Sequence, residues 1–161
     1  MRAVVTRVRS ASVTIGGRMN GEIGQGYLVL LGVGPRDGED TAVKLADKIC
    51  NMRVFEDENG KMNRSLEQVG GSLLVVSQFT LYADTSSRRP GFSGAAGPAL
   101  AEPLYERFMA RCRERGFAVA HGEFGADMLV ASENDGPVTI IFDTEGNWQP
   151  CPAAGERNTL Q

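Results

Sequence analysis

The chain holds one histidine, His121, and three cysteines, Cys50, Cys112 and Cys151, among 161 residues. Three cysteines, odd in number and far apart, make no disulfide framework. A lone histidine with no cysteine pair at ligand spacing gives no cluster for a metal ion, so neither a metal nor another cofactor is expected. A Ser-His-Asp or Cys-His device would have to use His121. That residue alternates with Val119 and Glu123 in a strand-like stretch and reads as a rim residue, not a general base. Glycine fingerprints are missing too. Gly24-x-Gly26 and Gly32-x-Gly34 lack the rest of any dinucleotide or phosphate loop. Gly91-Phe92-Ser93-Gly94-Ala95 places its second glycine one position early for a nucleophile elbow. No apolar run approaches membrane-span length. The opening Met1-Arg2-Ala3-Val4-Val5 is strand-like and has no signal-peptide core, which predicts a cytosolic protein with no membrane partner. A net charge of −3 argues against a broad basic face that grips nucleic acid. It leaves room for a small patch touching an end or a single strand.

What is present is a folded domain. Hydrophobic residues make up 42% of the chain and charged residues 23%, which suits one domain with a sizeable core. Residues 3–8 and 12–15 read as the first strand pair, with Gly16-Gly17 turning the chain. The continuous apolar run 26–33 reads as a strand buried on both faces. Ala42, Leu45, Ala46 and Ile49 repeat at helical spacing, with Asp40 or Thr41 as cap. Met52-Arg53-Val54-Phe55 reads as a short strand, and Leu73-Leu74-Val75-Val76 as another that runs on into Ser77-Gln78-Phe79-Thr80-Leu81-Tyr82. A second helix has Ala101, Leu104, Tyr105, Phe108 and Cys112 on one face, Pro103 in its first turn and Gly116 as its stop. Strands at 118–123, 128–132 and 138–142 follow. Two main helices among about eight strands predict a single α/β domain with a mixed or antiparallel, barrel-like sheet. Residues 146–161, with two prolines and Trp148, read as a poorly ordered C-terminal extension.

Three features stand out as candidates for function. Ser77, Gln78 and Thr80 end a buried strand, a common place for a site; on spacing alone they serve equally well as sheet terminators. Alternation would put Ser77, Phe79 and Leu81 on one face and Gln78, Thr80 and Tyr82 on the other. The loop 83–98 is long and carries Arg88-Arg89, better placed for phosphate than the helical Arg107, Arg111, Arg113 and Arg115, which read as a solvated face. Finally, Asn134-Asp135-Gly136 is turn chemistry that meets the strand run Val138-Thr139-Ile140-Ile141-Phe142 at Pro137, where a ladder donor is lost. A Gly-Pro bond is also where a cis peptide costs only about 0.5–1 kcal/mol. The simple reading is a strand-opening turn.

Taken together, Ser77-Gln78-Phe79-Thr80-Leu81-Tyr82 and Asn134-Asp135-Gly136-Pro137-Val138-Thr139 resemble the two signature motifs of the D-aminoacyl-tRNA deacylases. Val5-Thr6-Arg7-Val8, Met52-Arg53-Val54-Phe55 and Arg88-Arg89-Pro90 extend the resemblance, which covers residues 1 to about 144. It implies a deacylase domain over 1–145, followed by a tail, 146–161, that departs from the pattern. It also implies a homodimer acting on the tRNA 3′ end that carries a D-amino acid or glycine. In such a family Gly136-Pro137 is a cis motif that one subunit inserts into the other's site, supported by Arg7, Val138 and Thr139. Ser77, Gln78, Phe79 and Thr80 line the pocket, and the backbone N–H of Phe79 or Thr80 stabilises an oxyanion. The absent nucleophile is accounted for by the tRNA's own 2′-hydroxyl. Two alternatives accompany this reading: an editor of L-alanyl-tRNA with a trans Gly-Pro, and a non-catalytic nucleic-acid-binding dimer.

Overall fold

A computed structural model describes residues 1–146. Its spine is β1 (Arg2–Ile15), a single strand where the sequence suggests two pieces. Arg9 stays in the strand as a bulge between the pairs Val8↔Asn134 and Ser10↔Glu133. Gly16 (φ +55°) and Gly17 (φ +77°) form the expected tight turn; positive φ at both positions matches the twist of a hairpin. That hairpin leads into β2 (Arg18–Ile23), whose exposed Arg18, Met19 and Asn20 carry no apolar alternation to betray it.

β3 (Gly26–Gly32) is buried along most of its length, as its apolar run predicts. It pairs antiparallel with the first half of β1, and β2 pairs with the second half. From β3 the chain crosses through α1 (Glu39–Cys50) and the small hairpin β4 (Phe55–Glu56) and β5 (Met62–Arg64) to β6 (Ser72–Ser77), parallel to β3. A 3-10 turn (Phe79–Tyr82) and α2 (Pro98–Glu114) then lead to β7 (Val119–His121), parallel to β6. Two crossovers in the same direction and of one hand put both helices on one face of the sheet. β8 (Leu129–Asp143) returns along the free edge of β1, from Arg2↔Asp143 to Thr14↔Leu129.

Alternation in β6 divides the interior. Leu73 and Val75 face the helices and the larger core, while Leu74 and Val76 face a smaller core with Val8, Ala11, Val13 and Leu28. The sheet nearly closes around this second core. Asn20 Nδ2 donates to His121 O at 2.8 Å, and a Cβ on Gly21 would stand 3.0 Å from that oxygen, so β2 lies against β7.

Several local expectations are corrected. The cap of α1 is Gly38, in extended conformation, with Glu39 and Asp40 already in the first turn; the Thr41 hydroxyl accepts from Gly38 N. Pro98, not Pro103, occupies the favoured start of α2, and Pro103 lies inside the helix. Gly116 does end α2: with φ +90° it donates to Arg113 O while Phe117 N reaches Cys112 O, the paired closure that left-handed glycine permits. Residues 52–54 form no strand, because side chains take their carbonyls. Tyr27 OH donates to Met52 O and Arg7 Nη1 to Val54 O. The α2 arginines are less solvated than expected, since Arg111 and Arg115 both donate to Asp47 of α1.

The turn expected at Asn134-Asp135-Gly136 is instead a wide bulge inside β8. Between Thr6↔Thr139 and Val8↔Asn134, β1 advances two residues (8 − 6) while β8 advances five (139 − 134). Residues 135–138 therefore leave the ladder, and pairing resumes at Asn134 to continue through Leu129. The Gly136–Pro137 peptide bond in this bulge is cis. The expectations for the tail and for Trp148 lie outside the described residues.

Candidate functional site

The parallel ladder ends where Gln78 N donates to Leu31 O at 2.8 Å. Beyond it the chain tightens into the 3-10 turn, so the face alternation expected for residues 77–82 stops at Ser77. A cavity of about 630 Å³ opens at this strand end. Ser77, Gln78 and Phe79 form one wall, Ala101 and Tyr105 of α2 another, and the segment 124–128 a third. Phe79 is 56% exposed and meets Phe92 edge to face, with ring centres 5.3 Å apart. Exposed aromatic pairs are unusual in a soluble domain, and this one stands at the cavity mouth.

The Gln78 side-chain amide donates to Thr80 Oγ1. Thr80 itself does not line the cavity. The first N–H groups of a helical turn have no acceptor within it, which leaves those of Phe79 and Thr80 available. The Tyr105 hydroxyl, also in the wall, donates to Val75 O at 2.9 Å. Burial pushes its phenol above the ordinary range, with Glu106 adding to the effect, so it is a neutral structural donor and no base. No group of three or more metal-ligating side chains exists among the described residues.

The Gly-Pro bulge is built around Arg7, a charged residue that is only 5% exposed. Arg7 Nε donates to Asp135 O at 3.0 Å and lies 3.5 Å from Asp135 Oδ2; Nη1 donates to Val54 O at 2.6 Å. Gly136 has φ +132°, and a Cβ there would stand 3.1 Å from Arg7 Nη2. Both the left-handed conformation and the close approach demand glycine. Val138 packs half-buried against the larger core, and Thr139 Oγ1 lies 3.3 Å from Thr6 Oγ1.

Within one chain the two motifs stay apart. Arg7 and Asp135 line a different cavity of about 470 Å³, with Arg9, Glu56 and Arg64. Gly136 and Pro137 do not reach the walls of the first. Arg88 and Arg89 stand exposed in a loop pinched at its base by paired hydrogen bonds between Asp84 and Gly91. Sequence reasoning missed the opposite walls, Phe92 and the segment 124–128. The only signal was negative, a glycine-rich stretch around Phe92 that matched no catalytic elbow.

Residues 4–143 match the family model described as D-Tyr-tRNA(Tyr) deacylase. A D-aminoacyl-tRNA deacylase of Herpetosiphon aurantiacus is 56% identical over 150 residues, 92% of this chain and 97% of that relative. One from Thermus aquaticus is 57% identical over 145 residues, 89% of this chain and 95% of its own. Among solved structures, that of a "c-Myc DNA Unwinding Element Binding Protein" superposes with a TM-score of 0.84 at 40% identity, covering 89% of this chain and 99% of that one. Another, that of a probable eukaryotic D-amino acid tRNA deacylase, shares the fold at a TM-score of 0.74 and 18% identity, over 88% of this chain and 97% of that one.

Proposed function

The chain belongs to the D-Tyr-tRNA(Tyr) deacylase family, and from that premise we propose that it hydrolyses the ester of D-aminoacyl-tRNA and spares the L-ester. One observation carries the reading. Gly136 and Pro137 do not line the cavity at Ser77, Gln78 and Phe79 of their own chain, and among the described residues no hydrogen bond there joins a hydroxyl to a carboxylate or histidine. Two copies that exchange bulges complete each other's sites, which makes the acting unit a homodimer.

In the proposed mechanism the ester carbonyl lies against the 3-10 turn. The backbone N–H of Phe79 or Thr80 stabilises the oxyanion, while Ser77 and Gln78 position the terminal adenosine and its ester. The 2′-hydroxyl of that adenosine activates the attacking water, so the protein needs no base of its own. The Gly136 and Pro137 carbonyl oxygens of the second copy accept from the α-ammonium and fill the space of an L side chain. Glycine has no side chain to reject, so glycyl-tRNA is a further substrate. Arg88 and Arg89 meet phosphates of the tRNA 3′ end, and no cofactor takes part.

Incubation with D-tyrosyl-, L-tyrosyl- and glycyl-tRNA tests the reading. Loss of the D- and glycyl esters is expected; loss of the L-ester alone, or of neither tyrosyl ester, sinks it. A tRNA ending in 2′-deoxyadenosine should resist cleavage. The L-alanyl editor, which goes with a trans Gly-Pro bond, predicts instead that an L-alanyl ester is lost while the D-tyrosyl ester is spared. A non-catalytic nucleic-acid binder draws support from the 40%-identical structure, whose name is that of a DNA-binding protein. That reading predicts binding without turnover of any ester.

A further inference from the structure

The 3-10 turn that carries Phe79 and Thr80 has little of its own to hold it. Leu81 N reaches Gln78 O at a long 3.3 Å and Ala83 N reaches Thr80 O at 3.1 Å; bonds of this kind are poorly aligned. Its shape is fixed from outside. Arg2 Nη1 donates to Leu81 O at 2.9 Å, and the guanidinium carbon lies 4.5 Å from the centre of the Tyr82 ring. Arg2 Nε is itself held by Asp143 Oδ2 at 3.2 Å. The backbone of β3 and the segment after it press on the same turn. A Cβ on Gly32 would stand 2.9 Å from Gln78 O and 3.3 Å from Leu81 Cβ, and one on Gly34 2.7 Å from Tyr82 OH. The Gly32-x-Gly34 pair, which matches no phosphate or dinucleotide loop, thus leaves room for the turn.

We infer that Arg2 is a positioning residue of the active site. It clamps the C-terminal half of the 3-10 turn against Gly32 and Gly34, and so fixes where the Phe79 and Thr80 N–H groups point. The inference rests on the proposed deacylase reading for its catalytic consequence, but the clamp itself is a property of the fold. A planar guanidinium can stack on Tyr82 while donating to Leu81 O and Asp143 together. Lysine keeps the charge, with its three donors on one nitrogen, but loses the planar fork. A displacement of the donors by a fraction of an ångström lowers the rate of the chemical step, because oxyanion stabilisation depends on preorganised geometry.

The experiment compares the unsubstituted protein with Arg2→Gln, Arg2→Lys and, as a surface control, Arg107→Gln. Amide exchange at Leu81 and Ala83 is followed by NMR, and D-tyrosyl-tRNA cleavage is resolved into kcat and KM. In Arg2→Gln exchange at these two amides should quicken by about tenfold or more relative to amides in β3. Its kcat should fall on the order of 10- to 100-fold with KM within about twofold. Arg2→Lys should recover part of the kcat, and Arg107→Gln should match the unsubstituted protein. Unchanged exchange overturns the clamp. Faster exchange with unchanged kcat, or a loss confined to KM, overturns the positioning role. If Arg2→Gln does not fold, Gly32→Ala displaces the same turn from the β3 side and should give the same split; an unaltered kcat there overturns the inference. An unsubstituted protein that cleaves no ester refutes the deacylase reading instead, and exchange alone then decides whether the clamp exists.

Discussion

Arg7 shows how much a single buried cation organises. Its guanidinium satisfies Val54 O and Asp135 O and lies beside the Asp135 carboxylate, in a setting where an unpaired carbonyl is costly. Arg7→Met should therefore cost about 3 kcal/mol in urea denaturation, and on the proposed reading it should also remove most D-ester cleavage, as a loosened bulge no longer holds the α-ammonium. Tyr82 presents the opposite case. Among the described residues its buried hydroxyl has no partner, and burial, with Asp37 and Glu145 adding, pushes the phenol above its ordinary range. A polar group left unpaired in the interior is a liability. Tyr82→Phe keeps the ring under Arg2 and should be neutral or stabilising by up to about 1 kcal/mol in thermal denaturation. At this scale the sequence is mute about partners. Nothing in Arg7 or Tyr82 as letters says which carbonyl or ring they will meet; for Arg7, only the family resemblance supplied a role.

At the scale of elements, legibility followed hydrophobic period. The helices were readable because Ala42, Leu45, Ala46 and Ile49, and again Leu104, Tyr105, Phe108 and Cys112, each mark one face. β2 was hidden by its polar composition. β8 was cut in two by Asn134-Asp135-Gly136, whose turn chemistry is real but is used for a bulge that the partner strand β1 overrides. The helix pair is tied on its solvent side by Asp47, which accepts from Arg111 Nε at 2.8 Å and Arg115 Nη1 at 2.9 Å. Burial acts to raise the Asp47 pKa. The hydrogen bonds from Arg111 and Arg115 together outweigh it and hold the carboxyl below the usual range. A depressed folded pKa gives stability that is present above the unfolded value of about 3.9 and is lost as pH falls through the folded one. Asp47→Asn should thus lose about 1 kcal/mol near neutral pH, with the gap narrowing below about pH 4; denaturation at several pH values reads it. Behind this tie, Cys50 and Cys112 are buried with their sulfurs 3.8 Å apart. The Cys112 thiol keeps its proton in the hydrogen bond it shares with Cys50, and this, with burial, pushes it far above its ordinary range. Buried at 2% and 0% exposure, Cys50 and Cys112 are shut away from reagent and should escape alkylation in the native protein and react after denaturation, as peptide mapping by mass spectrometry would record.

At the scale of the whole molecule, the barrel-like mixed sheet was legible from the ratio and order of elements. The positions of cavity and bulge were not, since they depend on which strands become neighbours. On the proposed homodimer, a pocket variant such as Gln78→Ala and a bulge variant such as Arg7→Met should each be nearly inactive. Unfolded together and refolded, they should recover about a quarter of full activity, from mixed dimers with one intact site; no recovery would mean that bulge and cavity do not meet across copies. The pairing of β1 with β8 has a consequence in time. Arg2 lies opposite Asp143, so β1 leaves the ribosome long before its partner strand β8 and waits for it. Closing so long a separation is slow, and until it closes the long edge of β1 has no cover. Arg7 and the bulge it holds, at opposite ends of that span, come together only at the close. A partly synthesised chain, even with residues 77–80 already folded, has no finished bulge to lend a partner.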